Sequence, residues 1–220
     1  MLERMEDFFD ARLGDYEAHQ LSCIESAREF YPFTAGCLPQ APGSRILDLG
    51  CGTGLELGYY FEAVPTARIT GIDLAPGMLD ALRGKFPGKS LTLVLGSYFD
   101  VPLGENAFDA AVSVESLHHF TKEEKTALYV KLRKALKPGG YFILTDYFAE
   151  TDEEEQLRRA ELLRLRREQG LSDDAFYHYD TPLTVGHETE ALLEAGFASV
   201  TVLKRWGATR ALKATRQQPA

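Results

Sequence analysis

The chain has 220 residues, 45% apolar and 26% charged, an ordinary globular composition that excludes wholesale disorder and fibrous repeats. Asp and Glu outnumber Lys and Arg by 33 to 24, a formal net charge of −9, and an acidic surface repels phosphate backbones, so nucleic acid is not expected as a main partner. No stretch approaches the ~20 apolar residues of a membrane helix, and the acidic first segment lacks the apolar core of an export signal.

Residues 1–42 read as a helical lid. Phe8, Phe9, Leu13 and Tyr16 recur at helical spacing, and a second helix is expected through Leu21, Ile24, Ala27 and Phe30 before Pro32, Pro39, Pro42 and Gly43 break the regularity. Cys23, Cys37 and Cys51 are spaced too widely for a paired zinc or redox motif, and their odd number argues against a disulfide framework, which makes the cytoplasm the expected location.

From residue 45 onward, short apolar runs alternate with amphipathic segments. The runs are Arg45–Leu49, Arg68–Asp73, Leu91–Leu95, Ala110–Val114 and Tyr141–Asp146, with helical periodicity between them over Met78–Phe86 and Lys122–Leu136. Continuous apolar runs imply strands buried on both faces, and alternation with helices implies a parallel sheet covered on each side. Right-handed crossovers then give a doubly wound α/β arrangement. Thr121–Glu124 and Thr151–Glu154 read as capping boxes, and Glu154–Arg158 and Glu155–Arg159 as supporting pairs on a solvated helix. A last helix at Glu188–Ala195 precedes a hairpin, Ser199–Trp206 and Thr209–Lys213, that adds an antiparallel strand. The basic residues Lys204, Arg205, Arg210, Lys213 and Arg216 read as a solvated edge. One domain is expected over 1–220, carrying the lid and a helical insertion over 147–182.

The most informative stretch is Ile46-Leu-Asp48-Leu-Gly50-Cys51-Gly52-Thr-Gly54. A buried strand runs straight into three alternating glycines, which let a ligand approach the backbone. Asp48 stands as an acceptor, either for a ligand ammonium or for the N–H groups of the loop. Asp73 follows 19 residues after Gly54, where a carboxylate can accept from both ribose hydroxyls of an adenosine. The spacing differs from the dinucleotide fingerprint, and Asp48 would repel a pyrophosphate.

LDLGCGTG (47–54), GIDL (71–74) with Met78, AFDAAVSVESLHHF (107–120), LRKALKPGGYFILTDY (132–147) and LLEAGF (192–197) together resemble the class I S-adenosylmethionine-dependent methyltransferases. The resemblance implies a seven-stranded, mostly parallel sheet with an antiparallel last strand and helices on both faces. The implied cofactor is S-adenosylmethionine, with S-adenosylhomocysteine as product. Asp48 and the loop of Gly50, Cys51, Gly52 and Gly54 would face the methionine part, Tyr16 its carboxylate, Asp73 the ribose, and Leu74 and Met78 the adenine. Gly96-Ser97-Tyr98 stands where the family often has Gly-Asp-Ala, so Ser97 and Tyr98 fall on the adenine side with a hydroxyl in place of a charged acceptor.

Methyl transfer from a sulfonium needs alignment and dryness more than a catalytic triad. A base matters only where the acceptor must lose a proton. Glu115 and His118, after the fourth strand, are the catalytic candidates, with His119 beside them; packing and solvent exposure are the alternatives. Phe176-Tyr177-His178-Tyr179-Asp180 closes the insertion, and Tyr147, Tyr177, His178 and Trp206 are candidate walls of an acceptor pocket. Asp146 has no second carboxylate or histidine at a spacing that completes a hard-cation site, so no metal is expected. The expected activity is methylation of a small molecule at oxygen, nitrogen or carbon by a monomer or homodimer. A methyltransferase of RNA or protein, and a non-catalytic cofactor-binding protein, are the alternatives.

Overall fold

Ile46 and Leu47 are adjacent in sequence and both fully buried, which a strand satisfies only between two apolar layers. The computed structural model, which describes residues 1–172 and 175–218, supplies both layers. Its strands are β1 (Arg45–Leu49), β2 (Arg68–Asp73), β3 (Ser90–Leu95), β4 (Phe108–Val114), β5 (Leu136–Tyr147), β6 (Ser199–Trp206) and β7 (Thr209–Thr215). They form one seven-stranded sheet in the order β3-β2-β1-β4-β5-β7-β6. All neighbouring pairs are parallel up to β5, and β7 runs antiparallel to both β5 and β6.

The helices are α1 (Met5–Arg12), α2 (Tyr16–Cys23), α3 (Ala27–Gly36), α4 (Leu55–Ala63), α5 (Pro76–Lys85), α6 (Lys122–Ala135), α7 (Asp152–Glu168) and α8 (Val185–Glu194). Ile46, Ile69, Val112 and Ile143 pack on one face with Phe30 of α3, Tyr60 of α4 and Leu82 of α5. Leu47, Ala111, Phe142 and Leu144 pack on the other with Leu128 of α6 and Leu192 of α8. Each Val, Leu, Ile or Phe among them contributes about 1.5–3 kcal/mol of burial. Strand order reverses between β2-β1 and β4-β5, and the crevice at their carboxyl ends is the place such sheets offer a ligand.

Several expectations need correction. The amino-terminal region forms three helices rather than two: Tyr16 opens α2, and α2 and α3 are separated at Ile24–Ser26, where Ser26 takes φ 60°. Pro32 lies inside α3 instead of ending it. Thr121 forms the full reciprocal capping box, whereas Thr151 only accepts from the Glu154 N–H. The Glu154 carboxylate turns instead to the Tyr147 hydroxyl and the Glu150 N–H. Glu155 meets His187 at 2.9 Å, and Arg159 meets Glu123 at 3.5 Å, so their mutual pair does not form. The strand expected from Tyr141 begins at Leu136.

One feature of the α6–α8 interface has no counterpart in the sequence reading. Lys125 and Glu188, 1% and 0% exposed, pair at 2.6 Å, and the Tyr129 hydroxyl donates to the other Glu188 oxygen. No helix among the described residues is long and apolar enough to cross a membrane.

Candidate functional site

The β1–α4 loop carries Gly50, Gly52 and Gly54 at φ 70°, 47° and 69°. A Cβ on Gly50 would stand 2.1 Å from the Ser116 Oγ, so any side chain there displaces the turn after β4. Beside Gly52 the Tyr16 hydroxyl stands 3.6 Å from where a Cβ would be. Asp73, at the end of β2, accepts from the Gly52 N–H at 2.8 Å and the Ala75 N–H at 2.9 Å. Burial raises its pKa, opposed by these N–H groups. Each Asp73 oxygen keeps a further lone pair for a hydroxyl.

Gly50, Gly52, Asp73 and Ser116, with Leu74, Met78, Tyr98 and Glu115, line a cleft of about 50 Å³ under Met5, Phe9 and Tyr16 of the amino-terminal segment. A second cavity of about 660 Å³ shares Phe9, Tyr16, Glu115 and His119 with it. His118, Tyr147, His178, Asp180, Trp206 and Thr209 are among its further walls. The Tyr147 hydroxyl donates to Glu154, and the Trp206 Nε1–H to Glu29 at 3.0 Å.

Not every candidate faces these spaces. Tyr177 lines a separate groove with Arg166 and Leu163, because its backbone pairs with Arg4 and its neighbour His178 takes the inward position, stacked on Phe8 at 3.5 Å. Ser97 spends its hydroxyl accepting from the Phe99 N–H at 3.1 Å and lines neither space; Tyr98 takes the wall, with its hydroxyl 3.4 Å from the Ser116 carbonyl. Gly54 serves packing, since a Cβ would meet Leu82 of α5 at 2.3 Å. Cys51 and Asp48 are buried at 3% and 1%, behind the loop. Asp48 lies against Glu56 of α4, and burial followed by the Glu56 charge raises its pKa well above the carboxylate range.

The turn after β4 concentrates the titratable groups. Glu115 adopts φ 49°, a region that costs a non-glycine residue about 1 kcal/mol or more, and the bend turns the chain into the 3₁₀ turn Leu117–His119. Burial, then the Asp146 charge, push the Glu115 carboxyl up to about 8, against His118 and the Thr209 hydroxyl. His118 Nδ1 lies 2.6 Å from Asp146 Oδ1. Asp146 also accepts from the Leu117 and Tyr147 N–H groups at 2.9 Å each, so its orientation is fixed by backbone. Nδ1 therefore carries hydrogen, and Nε2 points toward Asp180 Oδ1 at 3.4 Å.

Burial opposes the His118 charge, but Asp146 and Asp180 outweigh it and raise its pKa well above the imidazole range. Burial opposes ionisation of Asp180 as well, yet its hydrogen bonds from His118 and His119 hold it far below the carboxylate range. His119 is lowered by burial and then by the His118 charge. His178 falls to about 4, through burial and then His119.

Asp146 and Asp180 are the partners of His118 that sequence spacing does not reveal. They stand 28 and 62 residues from His118 in the chain, and only the sheet and the returning insertion bring them together. The fold also brings Glu115 and His118 to Asp146, and His118, His119 and Asp180 together, the possible ligand atoms of each group lying within 4.8 Å of one another. Within them His118 pairs with Asp146 and with Asp180, and His119 with Asp180.

The lining suits an adenosyl sulfonium. Free lone pairs on Asp73 match ribose hydroxyls, Leu74 and Met78 offer an apolar wall, and Asp48 Oδ2 is a buried oxygen without a partner behind a loop stripped of side chains.

Comparison with known proteins agrees. The family described as "Methyltransferase domain" matches residues 46–140. The chain is 32% identical over 160 residues to the biotin biosynthesis bifunctional protein BioHC of Teredinibacter turnerae, covering 67% of this chain and 27% of that protein. It is 31% identical over 147 residues to the demethylmenaquinone methyltransferase of Symbiobacterium thermophilum, covering 63% and 57%. The chain thus spans less than two thirds of the length of either relative. Among solved structures, an S-adenosylmethionine-dependent methyltransferase from Mesorhizobium loti superimposes with a TM-score of 0.61 at 25% identity, covering 84% of this chain and 96% of that one. Glycine loop, Asp73 carboxylate, strand order and sequence matches converge: residues 46–140 form a methyltransferase domain, set in the fold of the S-adenosylmethionine-dependent methyltransferases.

Proposed function

We propose that the protein transfers a methyl group from S-adenosylmethionine to a small-molecule acceptor held in the larger cavity, with His118 as the base that takes the acceptor's proton. The observation that carries this reading is the His118–Asp146 contact at 2.6 Å, on the wall of a cavity that adjoins the glycine-loop cleft. S-adenosylmethionine supplies an electrophilic methyl group on a positively charged sulfur. Asp73 would hold the ribose, Leu74, Met78 and Tyr98 the adenine side, and Gly50, Gly52 and Tyr16 the amino-acid end. Asp146 holds the His118 ring by Nδ1, so that once the Nε2 proton shared with Asp180 is lost, Nε2 can accept one from the acceptor. Phe9, Tyr16, Glu115 and His119 line both spaces and form the boundary between them.

The cavity chemistry narrows the acceptor. Among the described residues, Asp15, Glu25 and Asp180 line it against one guanidinium, Arg12, which is already paired with Glu3 at 2.9 Å. Glu115, with its pKa at about 8, offers a neutral carboxyl at neutral pH. Phe8, Tyr147 and Trp206 provide aromatic walls. A neutral or cationic aromatic acceptor fits this lining, and a carboxylate does not. The biotin-pathway and demethylmenaquinone relatives support small-molecule chemistry.

Radiolabelled donor offered with a panel of amines, phenols and carboxylic acids tests the proposal. Label is expected in amines or phenols; label confined to carboxylic acids, or to protein or RNA, overturns it. Asp73→Ala is expected to weaken S-adenosylhomocysteine binding by about 1–3 kcal/mol, the scale of a lost hydrogen bond to a charged group, measured by calorimetry. Unchanged affinity would remove Asp73 from the cofactor site.

A further inference from the structure

Two buried carboxyl groups beneath the glycine loop have no role in the reaction just described. Asp48 closes β1 and Glu56 lies in the first turn of α4, 1% and 4% exposed. The loop between them folds back so that the two buried side chains interact with each other. Yet Asp48 Oδ2 and Glu56 Oε1 have no donor from the protein. Two carboxylates cannot donate to one another, and a bare pair of like charges is not tolerated in a buried site. One proton held between them supplies the missing donor and halves the charge.

The groups that face the pair offer no alternative. Asp73, Cys51 and Glu56 face Asp48. Asp48, Lys85, Cys51, Tyr16 and Tyr31 face Glu56. The single cation among them, Lys85, is tied to Glu17 at 2.6 Å. Burial raises the proton affinity of both carboxyls. Tyr16, on the wall of the cleft, feels the Glu56 charge, so the pair lies within electrostatic reach of a ligand there.

We propose that Asp48 and Glu56 share one proton in the free protein and release it to solvent when the ammonium of the cofactor's amino-acid end binds at the loop. This inference rests on the cofactor site described above. The exchange balances: a singly charged pair loses one proton, and the doubly charged pair that remains is neutralised in part by the arriving ammonium. Glu56 thereby becomes a positioning residue for the cofactor's cationic end, acting through Asp48.

Titration calorimetry of the full chain at pH 7, in buffers of differing ionisation enthalpy, counts the protons. S-adenosylhomocysteine is expected to release close to one. 5′-Methylthioadenosine, which carries the nucleoside without the amino acid, is expected to release none, and this comparison cancels any contribution from Asp73. The dissociation constant for S-adenosylhomocysteine is expected to fall by up to about tenfold per pH unit while the pair keeps its proton. That for methylthioadenosine should not share this extra slope. Glu56→Gln, whose amide can donate to Asp48 permanently, is expected to bind without proton release. S-adenosylhomocysteine binding with no release, or equal release by both ligands or by Glu56→Gln, overturns the shared proton while leaving the cofactor site standing. Failure of S-adenosylhomocysteine to bind at all overturns both.

Discussion

Replacing Glu188 with alanine is expected to lower the unfolding free energy by about 3–5 kcal/mol, the cost of leaving a buried charge without its partner. Lys125 is 1% exposed, and the partner the structure gives its ammonium is Glu188 at 2.6 Å. The Tyr129 hydroxyl would lose its acceptor as well. Chemical denaturation measures the loss directly, and a change below about 1 kcal/mol, the scale of an exposed ion pair, would mean that the site relaxes and admits water. Converting both partners together, Lys125→Met with Glu188→Leu, is expected to recover most of the stability, because a packed apolar pair of similar volume replaces the ions without desolvating any charge.

His118→Ala is expected to reduce methyl transfer by about 10²–10⁴-fold, the usual contribution of a positioned base, with S-adenosylhomocysteine affinity preserved. Turnover of the labelled acceptor measures it, and a loss below tenfold would make His118 a packing residue. The pH dependence carries the same assignment. In the free protein His118 holds its proton above the usual imidazole value because Asp146 and Asp180 outweigh burial. Turnover should therefore rise with pH as this proton is lost, with an inflection above about 6.5, the ordinary histidine value. Asp146→Asn removes the larger of the two charges and should move the inflection downward.

Stability has the opposite sign. A raised folded pKa means the His118 contribution is fully present below the unfolded value of about 6.5 and fades as pH climbs through the folded one. The stability difference between the wild type and His118→Ala should shrink on the alkaline side. A difference independent of pH would deny that His118 carries a raised pKa.

The sheet was legible in the sequence because its signal is strong and local. Arg45–Leu49 and Arg68–Asp73 read as strands with the boundaries the structure shows, since apolar runs ending in Gly-rich or Asp-containing turns have few other solutions. The glycine loop and Asp73 were legible for the same reason. What escaped notice depends on contacts between distant segments. Tyr177 and His178 differ by one position, and only the backbone pairing with Arg4 decides which of them faces the cavity. Ser97 looked like a ligand contact and instead closes its own turn. Lys125, Glu188 and Glu56 sit on helices where a charged residue ordinarily faces solvent, and nothing in their spacing marks them as buried. Pro32 illustrates the limit of breaker residues: α3 continues through it, with Phe30 and Tyr31 buried in the core.

The first and the late parts of the chain hold each other. Met5 N–H donates to the Phe176 carbonyl and His178 N–H to the Glu3 carbonyl, at 2.9 and 3.0 Å. Asp10 accepts from the Gly77 N–H at 3.0 Å, and Glu17 grips Lys85. The roof over the cleft and the larger cavity is therefore one continuous segment, tied at its rim by these polar contacts. Removing the first twenty residues is expected to unroof both compartments at once, because Phe9 and Tyr16 line the two of them together.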